Sequence, residues 1–318
     1  MSMKTLRVGI RKGRVAELAV ERVVADLAEE HPGLAVEVVP YETAVRHSAD
    51  DPEAYIQELE KALRRREVDL VVHLLKEIPV RLPEDIQLIG ASERINPFDA
   101  FVSRDYQLIE ELPKGARVGV SHPRQRVQLL LHRYDLEIIE LHGSVDSRLQ
   151  QMESQELAGL IVSAESLERL GLQGEAREIV REEILLPAPG QGCLGFLARR
   201  GEEALVELVA PLQDQTSRLE TVAERAFLDR LGGNPGLPLG VHAACDSYTC
   251  IIEGVLATPD TGSYIRDAIQ GPREFAELIG TRLAELLLVL GDEELLDLVE
   301  VPAVAADADD DPGGEATH

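Results

Sequence analysis

Residues 68–80, VDLVVHLLKEIPV, place His73, Lys76 and Glu77 directly after a run of apolar side chains. Such a run reads as a buried strand, and open α/β sheets bind ligands at the carboxyl ends of their strands. A carboxylate in that position can move a proton or stabilise a cation, and a neighbouring ammonium can hold an anion. Taken alone, the segment is equally consistent with a polar surface loop. His73 and His142 read as structural histidines satisfied within the fold. Cys193, Cys245 and Cys250 are the candidate thiol nucleophiles. A buried free cysteine usually behaves as a small hydrophobe, and that is the reading taken for each. No zinc-type cluster or Walker loop is present, and the glycine-rich run at 185–195 follows the wrong elements for a dinucleotide fingerprint. No metal site is expected.

The elements that must position these residues alternate strand and helix. A strand at 6–10 leads through Arg11-Lys12-Gly13 into a helix marked by Val15, Leu18, Ala19, Val23 and Leu27. A strand at 34–39, a helix over 55–63 and the buried strand at 68–74 complete a βαβαβ order, which implies a mostly parallel sheet covered on both faces. The pattern recurs with strands at 116–121, 136–141 and 158–164 and helices at 123–133, 144–154 and 165–170. LLPAPGQGCLG at 185–195 reads as a crossing or hinge. A third region holds a helix over 216–231, the run GGNPGLPLG at 232–240, strands near 251–257 and 263–269, and a helix over 272–290. The expected division is 4–92 with 191–210 as one α/β domain, 98–186 as a second, 215–300 as a small α+β domain, and 305–318 as a disordered acidic tail.

Composition excludes several classes of function. The 318 residues hold 32 Lys plus Arg against 58 Asp plus Glu, a formal net charge of −26. A surface this negative repels phosphate backbones and anionic lipids, so neither nucleic acid nor membrane is an expected partner. The N-terminus lacks a signal-peptide pattern and no apolar stretch reaches ~18 residues. Three cysteines form a sparse, odd set that reads as reduced thiols in a cytoplasmic protein. Arginine outnumbers lysine 27 to five, a bias of source for the most part. Single arginines matter, since the guanidinium fork matches a carboxylate.

With ERINPFDAFVSR at 93–104, LHGSVDSRL at 141–149, LPAPGQGCLG at 186–195 and AERAFL at 223–228, the VDLVVHLLKEIPV segment resembles the hydroxymethylbilane synthase (porphobilinogen deaminase) family, in register from about 6 to 290. The resemblance implies three domains, the first two like the lobes of a type 2 periplasmic binding protein around a cleft. The third carries a dipyrromethane primer, thioether-linked to a cysteine. It also implies condensation of four porphobilinogens head to tail with loss of ammonia, in porphyrin and haem biosynthesis. That chemistry needs a carboxylate to stabilise a cationic azafulvene and arginines to hold acetate and propionate side chains.

Carried over position by position, Lys76 matches the family's catalytic-segment lysine and Glu77 stands where the family has its catalytic aspartate. Arg11, Arg124, Arg148 and Arg169 match family arginines, expected to bind substrate or primer carboxylates. The departures are several. Gly13 replaces a serine, Gln125 and His142 replace arginines, and 43–55 is shorter and more acidic than the family's lysine-bearing lid. Glu77 is one methylene longer than aspartate. The Gly-Gly-Cys turn that carries the primer has Pro235, or Asn234 one residue earlier, at the cysteine. Covalent dipyrromethane is therefore not expected at this turn, which leaves Cys193 or Cys245 as substitute anchors. The expected function is a hydroxymethylbilane synthase-type transferase acting on small pyrroles as a monomer. The alternatives are a family member that binds pyrroles or another polycarboxylate without turnover, and a plain two-lobed ligand-binding or scaffolding protein.

Overall fold

The computed structural model describes residues 4–42 and 56–299. The acidic segment at 43–55 and the expected tail at 305–318 lie outside the described residues. In chain order, β1 (Thr5–Arg11), α1 (Arg14–Glu30), β2 (Ala35–Tyr41), α2 (Gln57–Arg64), β3 (Leu70–Leu74) and β4 (Ile86–Ala91) come first. Next are β5 (Asp99–Val102), β6 (Arg117–Val120), α3 (Pro123–His132), β7 (Glu137–Glu140), α4 (Val145–Ser154), β8 (Gly159–Ser163), α5 (Ala164–Leu170) and β9 (Ala176–Ile179). The chain then returns through β10 (Leu194–Arg199) and α6 (Glu203–Val209) before α7 (Gln215–Arg230), β11 (Leu239–Cys245), β12 (Thr249–Ala257), β13 (Tyr264–Pro272) and α8 (Ala276–Leu290).

Three sheets result. The first has the order β2-β1-β3-β10-β4, the second β7-β6-β8-β5-β9, and the third β11-β12-β13. The first two share one plan, with three parallel strands followed by one strand that runs antiparallel to both neighbours. Each is covered by apolar side chains on both faces, which is why β3 and β8 read as unbroken apolar runs. The sheets are mostly parallel, as expected, with one reversed strand in each. In the first sheet the reversed strand, β10, is contributed by chain that has already visited the second sheet. In the third region α7 and α8 cover one face of an antiparallel meander around Phe227, Leu283, Ile252 and Val241. This is the three-part α/β and α+β architecture that the sequence implies.

Two strands of chain cross between the lobes and bond to each other. Ile95 N–H donates to Gly192 O at 3.0 Å, and Gln191 Nε2 donates to Pro97 O at 2.7 Å. Gly190 and Gly192 take φ of +76° and +93°, the left-handed region that favours glycine, and a Cβ on Gly192 would sit 2.6 Å from Ile95 O. The crossing is anchored from α7. Buried Glu224 receives both terminal nitrogens of Arg94 at 2.8 and 2.9 Å, together with the N–H groups of Gly190 and Ala243.

Candidate active site

The parallel strands of both lobes deliver the residues that the sequence singles out at their carboxyl ends. Arg11 closes β1, and Lys76 and Glu77 lie in a 3-10 turn, Leu75–Glu77, directly after β3. That turn is held from two sides. Leu75 N–H donates to Cys193 O at 2.9 Å, and Arg225 on α7 donates to Ile78 O at 3.0 Å and Pro79 O at 2.8 Å. Glu77 Oε2 stands 3.4 Å from Arg11 Nη1 and 3.7 Å from His73 Nδ1. Burial pushes His73 down from its ordinary value, against the pull of the Glu77 carboxylate, so the ring is neutral near pH 7. Its Nδ1 faces two acceptors, Glu77 and Leu74 O, which places the hydrogen there. Nε2 is buried without a hydrogen-bond partner.

Lys76 points the other way. Its Nζ donates to Ser163 Oγ at 3.0 Å and lies 3.3 Å from Glu165 Oε2, both on the second lobe. The two adjacent residues therefore split their charges between the lobes.

Second-lobe arginines occupy two kinds of environment. Arg148, in the first turn of α4, donates to Ser121 Oγ at 2.7 Å, and its Nε is buried without a partner. Burial pulls the Arg148 guanidinium below its ordinary value, while the carboxylates of Glu77 and Asp99 pull it up. Arg124, at the start of α3, is spent inside the protein: its side chain is 3% exposed and it pairs with fully buried Asp99 at 2.8 Å. A further bond at 2.6 Å goes to Leu186 O. Arg169 meets Glu165 with Nε and Nη2, both at 3.2 Å, one helical turn away. The structure thus pairs Arg11 with Glu77, turns Lys76 onto Ser163 and Glu165 of the second lobe and sets Arg148 on Ser121, while Arg124 and Arg169 each serve a buried carboxylate.

The turn at 232–236 spans the mouth between the lobes. Gly233 lies beside Arg81 of the first lobe, and Pro235 O accepts from His122 Nε2 of the second at 3.0 Å. His122 Nδ1 accepts the Arg124 N–H as the cap of α3, so Nε2 carries the hydrogen. Asn234 Oδ1 folds back onto Gly236 N–H at 2.8 Å. No thiol stands at this turn. Cys193 is fully buried, and burial pushes its thiol up to about 12. The reading of three reduced cysteines is corrected: Cys245 and Cys250, opposite one another in the β11–β12 register, form a disulfide. Among the described residues no cluster of metal-ligating side chains occurs, and no helix is long and apolar enough to cross a membrane.

Two family profiles match the chain in tandem. "Porphobilinogen deaminase, dipyromethane cofactor binding domain" covers residues 6–207, and "Porphobilinogen deaminase, C-terminal domain" covers 218–289. The chain belongs to the porphobilinogen deaminase family. A porphobilinogen deaminase of Syntrophotalea carbinolica is 38% identical over 308 residues, 95% of this chain and 98% of that protein. Solved structures with similarity include the methionine binding protein MetQ, with a TM-score of 0.45 and 15% identity over 70% of this chain and 95% of that one. A nutrient binding protein from Burkholderia cenocepacia bound to methionine gives 0.44 and 17%, over 66% and 92% of the two chains.

The family profile names a dipyrromethane cofactor. A thioether needs a reachable thiolate, and Asn234 and Pro235 offer none. Cys193 is inaccessible, and Cys245 and Cys250 hold each other. The residues do not fit a covalently tethered group. The sequence reading missed Glu165, Asp99 and Arg225. Only Glu165 carried a signal, its i, i+4 spacing to Arg169, and that pattern reads as a solvated helix face.

Proposed function

We propose that the protein condenses porphobilinogen head to tail, releasing ammonia at each step, as a hydroxymethylbilane synthase-type transferase of tetrapyrrole biosynthesis. The observation that carries the reading is the Glu77 carboxylate just past the carboxyl end of β3, faced by Arg11 at 3.4 Å, with the adjacent Lys76 bonded to Ser163 of the second lobe at 3.0 Å. When the C–N bond of the aminomethyl group breaks, ammonia departs and a cationic azafulvene is left. Glu77 stabilises that cation as it forms; the free α-carbon of the next pyrrole attacks it to make the new C–C bond and then loses its proton to the Glu77 carboxylate. Neutral His73 sits behind Glu77, its Nδ1 bonded to Leu74 O and 3.7 Å from the carboxylate. Arg11 and Arg148 hold the acetate and propionate carboxylates, and Arg124 and Arg169 brace the second lobe without touching ligand. Lys76 spans the lobes.

The growing chain is held without a thioether. Its synthesis loses the effective molarity that tethering supplies, so turnover from porphobilinogen alone is slow. A second reading follows from the same missing thiol: a member of the family that binds pyrroles without turnover. One assay separates the two. Purified protein given porphobilinogen releases ammonia and a linear tetrapyrrole under the first reading. Saturable binding with no ammonia establishes the second.

A further inference from the structure

We propose that Glu165 is a positioning residue that holds Lys76 on the second lobe and so keeps its ammonium away from the ligand's carboxylates. The inference rests on the reading of the cleft as a site for a polycarboxylate pyrrole. Glu165 is fully buried, and its two oxygens serve four donors on three parts of the chain. Oε2 takes Lys76 Nζ at 3.3 Å from the first lobe and Gly192 N–H at 3.2 Å from the crossing. Oε1 takes Nε and Nη2 of Arg169 at 3.2 Å from its own helix. One carboxylate thus ties together both lobes and the hinge.

The charges explain why this tie can open and close. A buried carboxylate stripped of every cation is strongly destabilised. Arg169 lies on the same helix as Glu165, so loss of the Lys76 contact would not leave the carboxylate alone. Lys76 is the member of the pair that can leave, because it is attached to the opposite lobe and its remaining contact is the neutral Ser163 hydroxyl. While it stays, it adds a cross-lobe tie to the 3-10 turn already held by Cys193 and Arg225, and its charge is kept off the adjacent Glu77. Its charge is also cancelled locally, so a bound polycarboxylate feels Arg11 and Arg148 and not a third cation.

Two consequences have opposite signs, which a merely structural role would not produce. Glu165→Gln keeps the shape and an acceptor for Gly192 N–H but removes the anion. Lys76 then turns towards the cleft, and citrate, used as a tricarboxylate probe, binds about tenfold tighter. That is the scale of one unit charge acting over ~10 Å at an effective dielectric near 20. Turnover of porphobilinogen falls in the same variant because the freed Lys76 ammonium partly neutralises the adjacent Glu77 carboxylate and weakens its hold on the cation, so KM and kcat both drop. Glu165→Asp retains the charge and gives citrate affinity within about twofold of the parent on the same scale.

A second measurement does not depend on activity. Acylation of lysines by a small amine-reactive reagent, read by peptide mass, shows Lys76 protected in the parent relative to exposed Lys12. Its rate rises on the order of tenfold in Glu165→Gln and not in Glu165→Asp, the change expected when about one such charge pair is lost. Weaker citrate binding in Glu165→Gln, or unchanged Lys76 labelling, overturns the proposal. Failure of the parent to bind porphobilinogen, with citrate and labelling behaving as stated, sinks the pyrrole reading and leaves the role of Glu165 standing.

Discussion

Arg124→Ala decides whether that guanidinium belongs to the fold or to the ligand. The substitution deletes bonds of 2.8 and 3.2 Å to Asp99 and one of 2.6 Å to Leu186 O. Asp99, fully buried, would keep only the side-chain amides of Gln125 at 2.8 Å and Gln191 at 3.4 Å. Removing one partner of a buried ion pair costs about 3–5 kcal/mol. At about 2–4 °C per kcal/mol, the melting temperature should fall by roughly 6–20 °C. Replacing both charges, as Arg124→Leu with Asp99→Asn, should recover most of the loss, since no uncompensated ion is then left inside. The sign with pH follows from Asp99. Burial raises its pKa, but the Arg124 guanidinium and the Gln125 amide outweigh that and hold it below its ordinary value. A carboxyl depressed in the folded state adds stability above its unfolded value of about 3.9, and the gain is lost as pH falls through the lower folded value. The parent should therefore lose stability below about pH 4 through this pair, and the double variant should not. Thermal unfolding across pH, with calorimetry of porphobilinogen binding beside it, measures both sides. An Arg124→Ala protein that melts within about 2 °C of the parent yet binds ligand poorly would refute the assignment to the fold.

Glu77→Gln should abolish ammonia release while leaving the melting curve in place, because the partly exposed side chain is not core and an amide cannot stabilise a cation. Glu77→Asp should match or exceed the parent rate, as it withdraws the carboxylate by up to ~1.5 Å to the family's length. Arg148→Ala should weaken porphobilinogen binding by about ten- to a hundredfold, the worth of a hydrogen bond to a charged group, and calorimetry reads it directly. Cys250→Ser should cost about 2 kcal/mol of stability under non-reducing conditions, the loop-closure value for so short a loop, and little more should be lost on adding reductant.

Much of this architecture can be read from the sequence where one residue run carries one period. The helix α1 follows from Ala19, Val23 and Leu27 at helical spacing, and β3 and β8 follow from unbroken apolar runs. Strand β10 was hidden because its start lies in the glycine- and proline-rich LPAPGQGCLG, and its antiparallel partners β3 and β4 are far away in sequence. The site divides in the same way. Lys76 and Glu77 were legible because they are adjacent and follow a strand. Glu165 was not, since its partner Lys76 lies on the other lobe and only folding brings the two to 3.3 Å. Arg124 looked like a ligand-facing cation because nothing near it in sequence reveals that Asp99 is buried against it. The Cys245–Cys250 pair escaped notice because it depends on hairpin register rather than on cysteine count.

Under the proposed function, the protein works without a primer attached to it. Intact-protein mass spectrometry of the purified chain, followed by peptide mapping, tests it most directly. The expected result is the mass of the bare polypeptide and no colour with an aldehyde reagent for pyrroles. An added mass of two pyrrole units, mapping to Cys193 or Cys245, would contradict it.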